Sequence, residues 1–74
     1  MAKQMTIQEL KEEAMLRGAL DAQYGNPANA QDNKHIQRLL QRLKNRAYDR
    51  AAEMMIYQGY QERYNKANAY LETL

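Results

Sequence analysis

Cysteine and serine are both missing from this 74-residue chain, as are valine, phenylalanine and tryptophan. Without cysteine there can be no disulfide and no thiolate metal site. Without serine or cysteine the usual side-chain nucleophiles are gone, and the single histidine, His35, has no evident triad partner. The three glycines, Gly18, Gly25 and Gly59, stand apart from one another, so no glycine-rich phosphate loop exists. No apolar run approaches the length that crosses a bilayer. The opening residues carry Lys3 but no apolar stretch of the kind a secretory leader needs, and a cytoplasmic protein is expected.

What remains is rich in helix formers. Leu, Met, Ala, Gln, Glu, Lys and Arg dominate, while the strand-favouring Val, Phe and Trp are absent. These choices predict an all-α fold. The length allows one small domain over residues 1–74, with a core that is marginal by itself. Self-association is one of the usual reinforcements for such a core.

Charge is unevenly placed. Residues 1–33 carry three cations against five acids, and residues 51–74 carry two against three. Residues 34–50 carry six cations, Lys34, Arg38, Arg42, Lys44, Arg46 and Arg50, against Asp49 alone. The net charge of +2 hides a basic block between two mildly acidic ones.

Thr6 and Glu9 form a T-x-x-E capping box, in which each side chain can satisfy the other's backbone N–H. Met5 and Leu10 flank it as a hydrophobic staple. A helix is therefore expected from about residue 7 to residue 24, with Gly25 as its stop and Pro27 forbidding continuation. Ile7, Leu10, Ala14 and Gly18 share one stripe of it, and Met15, Leu16, Ala19 and Leu20 spread over its other sides. A helix apolar on several sides meets several neighbours.

Residues 24–30 read as a linker, with Asn29 the favoured cap of the next helix. That helix is expected over about 30–73. Ile36, Leu40, Leu43, Ala47, Ala51 and Met54 mark its first apolar stripe, with Leu39 and Met55 beside it. Tyr57, Tyr60, Tyr64, Ala67, Leu71 and Leu74 then follow heptad spacing. The two patterns are out of step near Gly59, which either overwinds one helix or marks a break. The lack of a Ser, Thr, Asp or Asn cap just after Gly59 favours continuity, whereas a compact monomer needs a break. The expected architectures are thus a helical hairpin with a long second helix, or a small three-helix bundle broken near Gly59.

Several residues could carry chemistry. Glu9, Glu12 and Glu13 sit where the helix dipole favours acids, which accounts for them structurally. Asp32 and His35 are spaced like a carboxylate–histidine metal pair, but the further Glu and His ligands of a di-metal bundle are missing. No metal or cofactor is expected. Lys34, Arg38, Arg42 and Arg46 stand four apart on one ridge, suited to phosphates or to an acidic protein. Tyr57, Tyr60 and Tyr64, with Tyr48 and Tyr70, offer large rigid contact area with a polar tip.

The expectation is a non-enzymatic adaptor or inhibitor that binds a protein through the tyrosine seam and the basic ridge, and that forms a homodimer. The alternative is a small nucleic-acid-binding regulator using the ridge. A structural or assembly subunit is third.

Overall fold

The computed structural model describes residues 6–46 and 49–74. Three helices account for most of them: α1 (Ile7–Gln23), α2 (Lys34–Arg46) and α3 (Arg50–Glu72). The all-α expectation is met, in its three-helix form, but the division falls elsewhere than expected.

The capping box starts α1. Thr6 Oγ1 accepts the Glu9 backbone N–H at 3.1 Å, and the Thr6 N–H donates to Glu9 Oε1 at 3.0 Å. Met5, the other half of the expected staple, lies outside the described residues. Gly25, at φ 73°, ends the helix by taking the left-handed conformation that L side chains rarely adopt. Its N–H donates to Ala22 O at 3.2 Å, and the Asn26 N–H reaches back to Asp21 O at 2.8 Å, which closes a Schellman motif.

The second helix begins later than residue 30, and Asn33 caps it in place of Asn29. Asn33 Oδ1 accepts the N–H groups of His35 at 2.9 Å and Ile36 at 3.2 Å. Asn29 is spent locally: its Oδ1 accepts the Asp32 N–H at 3.3 Å and its amide donates to Asp32 Oδ2 at 2.8 Å. Asn33 prevails because its own amide also donates to Asp21 Oδ2 at 2.9 Å, tying the start of α2 to the end of α1.

Neither a continuous helix over 30–73 nor a break at Gly59 occurs. Asp49 is extended, at φ −135° and ψ 115°, and its side chain accepts the Ala51 N–H at 3.0 Å as the N-cap of α3. From there α3 passes through Gly59 without interruption. The change of element resets the phase of the apolar stripe. Ala52 and Ile56 are buried, while Ala51, Met54 and Met55 are exposed. Ala47 and Tyr48 lie outside the described residues.

α1 packs chiefly against α3. Lys11 and Met15 lie against Gly59, and Gly18 lies against the backbone of Tyr60 and Tyr64. These contacts advance in the same direction along both helices, so α1 and α3 run parallel and α2 returns the chain between them. The two helices approach closely because Gly18 has no side chain: a Cβ there would overlap the Tyr60 carbonyl oxygen. Leu10 and Ala14 of α1, Ile36, Leu39, Leu40 and Leu43 of α2, and Ala52, Ile56 and Tyr60 of α3 form one core.

Candidate functional site

The tyrosine seam divides into a buried part and an exposed part. Tyr60, expected at a partner contact, has no exposed surface and belongs to the core. Its hydroxyl donates to Asp21 Oδ2 across the α1–α3 interface. Burial, reinforced by the Asp21 carboxylate beside it, pushes the Tyr60 hydroxyl up to about 12, while the Asn33 amide acts in the opposite direction. Tyr64 stacks beside Tyr60 with ring centroids 6.3 Å apart, and its hydroxyl donates to Asn26 O at 2.6 Å. Tyr57 is half-buried, and its hydroxyl accepts from Gln37 Nε2 at 3.3 Å. These three tyrosines fasten α3 to the end of α1, to the linker and to α2.

Asp21 is the hub of this arrangement. Besides Tyr60 and Asn33 it accepts from the Asn26 amide at 3.4 Å. Sequence reasoning counted Asp21 only as a charge. The available signal was its place three residues after Gly18 and seven after Ala14, where an acid falls on an otherwise apolar stripe. Such an acid is retained where donors meet it.

Past Tyr64 the seam leaves the core. Ala67 is half-buried, and every residue from Asn68 to Leu74 is exposed. Tyr70 is 66% exposed, Leu71 38% and Leu74 84%. The parallel register explains this, because α3 extends beyond the last turn of α1.

Three of the four cations of the expected ridge are placed along α2. Lys34, Arg38 and Arg42 are exposed, opposite the buried Ile36, Leu40 and Leu43. The Arg46 side chain lies outside the described residues. Arg38 and Arg42 share a groove of about 170 Å³ with His35 and Leu39 of α2 and with Glu13 and Arg17 of α1. The periodicity of α2 alone gave no hint that Arg17 would join them.

A larger cleft, of about 510 Å³, lies between the linker and α3. Ala28, Ala30, Met54 and Tyr57 give it apolar walls, and Gln58 and Gln61 add amides. Its lining holds no Asp, Glu, His, Lys or Arg, and the Tyr57 hydroxyl there accepts from Gln37. Among the described residues, no group of three or more His, Cys, Asp or Glu side chains could hold a metal ion. His35 is exposed at the first turn of α2. No helix among the described residues is long and apolar enough to cross a membrane. No family model matches the chain, and no match is found among curated proteins or solved structures.

Proposed function

We propose that this chain is a non-enzymatic protein-binding module, an adaptor or inhibitor, whose contact element is the distal face of α3. Its first occupant is a second copy of the chain. The observation that carries the reading is the exposure of Tyr70 and Leu71 where α3 extends beyond α1, and of Leu74 just past its end. With Ala67 these residues recur at helical spacing, the pattern by which one helix lays its apolar face on another. Fully covering a leucine is worth about 1.5–3 kcal/mol, so a few such side chains from each copy supply a meaningful association energy. A closed two-fold pair uses the same patch on both copies and needs no second surface.

Sedimentation equilibrium across a hundredfold concentration range tests the reading. The parent mass should rise towards two chains. Leu71→Glu combined with Leu74→Glu should hold the mass at one chain and leave the helical circular dichroism intact, since neither side chain belongs to the core. A parent that keeps the one-chain mass throughout overturns self-association. A double variant that still pairs overturns this choice of face.

A further inference from the structure

The α1–α2 groove carries an inference independent of the α3 contact. Between Lys34 and Arg46 there is no carboxylate at all. Lys34, Arg38 and Arg42 recur every four residues, roughly 6 Å of helix per step. Amides stand among them: Gln41 donates to Asn45 Oδ1 at 3.1 Å on the same exposed side. From the facing helix Arg17 lines the same groove, so three arginines and His35 border it, with Glu13 as the one carboxylate in the lining. Arg42 is also engaged within the chain.

Like charges gathered in a concave site repel one another, and a bound anion relieves that repulsion. Guanidinium forks fit phosphate and carboxylate alike, so the groove alone does not choose between them. The ridge does. A basic patch can meet an acidic patch on a protein, but this ridge runs along α2 from Lys34 with no carboxylate anywhere on the helix. A face of one sign, with regularly spaced cations and amide donors, suits a polymer that is itself of one sign throughout. Arg, Lys, Asn and Gln side chains are the usual donors to a nucleic-acid backbone.

We infer that the ridge and groove formed by Arg17, Lys34, Arg38 and Arg42 bind the phosphodiester backbone of nucleic acid without reading its sequence. Arg17 and Arg42 hold a phosphate at the groove, and Lys34 and Arg38 follow the strand along α2.

The test is fluorescence anisotropy with a labelled DNA duplex two helical turns long, titrated with the full chain at about 50 and about 200 mM salt. The parent should bind at the lower salt and weaken steeply at the higher. Each phosphate contact contributes about 0.9 to the slope of log K against log salt. Arg38→Gln with Arg42→Gln should therefore lower the slope by about 1.8 and weaken binding at least tenfold. Arg17→Gln should lower the slope by about 0.9. Lys66→Gln, an exposed cation on α3, should change neither, and circular dichroism should show all variants equally helical. Absence of binding at the lower salt overturns the inference. So does an equal loss with Lys66→Gln, which would mean attraction by overall charge. Polyglutamate displacing the duplex as well as unlabelled duplex does would assign the groove to acidic proteins and likewise overturn it.

Discussion

The close approach of α1 and α3 makes Gly18→Ala the sharpest test of the fold. In an exposed helix interior this change is favourable by about 1 kcal/mol, because alanine has the higher helix propensity. At Gly18 the added Cβ would overlap the Tyr60 carbonyl oxygen and sit 3.1 Å from the Tyr60 carbonyl carbon and 3.2 Å from the Tyr64 nitrogen. All three are backbone atoms of a continuous helix, so none can rotate away. Relief requires α1 and α3 to separate, which loosens Leu10 and Ala14 against Ala52 and Ile56 as well. Overpacking of this kind costs about 1–3 kcal/mol, and here the clash outweighs the propensity gain. Because the atoms met are all backbone, the cost lies at the upper end of that range, and after the propensity gain of about 1 kcal/mol we expect a net loss of about 2 kcal/mol, or a melting temperature lower by roughly 8–16 °C for a domain of this size. Gly59→Ala is the internal control. Its Cβ would meet Met15 Cγ at 3.2 Å and Lys11 Cγ at 3.3 Å, both on flexible side chains that can move aside. That variant should melt within a few degrees of the parent. Thermal unfolding followed by circular dichroism measures both. A Gly18→Ala chain as stable as the parent, or a Gly59→Ala chain that is the worse of the two, would refute the packing described.

Tyr60→Phe should destabilise the chain by about 1–3 kcal/mol, because it leaves Asp21 without one of its donors in a partly buried site; urea unfolding reads the difference. The Tyr60 hydroxyl is raised on folding from 10.0 to about 12, so its contribution is fully present below pH 10 and fades as pH rises through about 12. Alkaline titration of stability should show that loss in the parent and a smaller one in Tyr60→Phe. Thr6→Ala should cost about 0.5–2 kcal/mol and Thr6→Asp almost nothing; equal melting of Thr6→Ala and parent would contradict the cap. Asp49→Ala should cost about 1 kcal/mol and reduce amide protection in the first turn of α3, as hydrogen exchange would show.

Local signals proved readable where they were complete within a few residues. The box of Thr6 and Glu9, the stop at Gly25 and the buried stripe of Ile36, Leu40 and Leu43 all stand as their spacing implies. The division of the second helical segment did not emerge because Asp49 sits inside an apolar pattern that can be drawn straight through it. Ala51 and Met54 continue that pattern on paper, whereas Ala52 and Ile56 continue it in the molecule. Gly59 drew attention for the wrong reason: it faces Met15 and Lys11 of α1 and leaves α3 unbroken. The tyrosines could not be sorted from spacing alone. Whether Tyr60 faces inwards depends on Gly18 and Asp21, which lie far away in the chain. Arg17 joins the basic ridge for the same reason, through the packing of α1 on α2.

The parallel pairing of α1 with α3 has a kinetic consequence. Asp21 and Tyr60, bonded across that interface, are 39 positions apart. A hairpin of neighbouring helices can gain packing as soon as its turn forms, but here the main partner of α1 is the last helix of the three. The linker and α2 must first be closed into a loop. Closure entropy grows only logarithmically with loop length, so the equilibrium penalty is modest. The rate is affected more, because non-local contacts reward the chain only after closure. This small helical protein should therefore fold more slowly than its helix content alone would suggest, with the α1–α3 interface forming in the step that limits the rate.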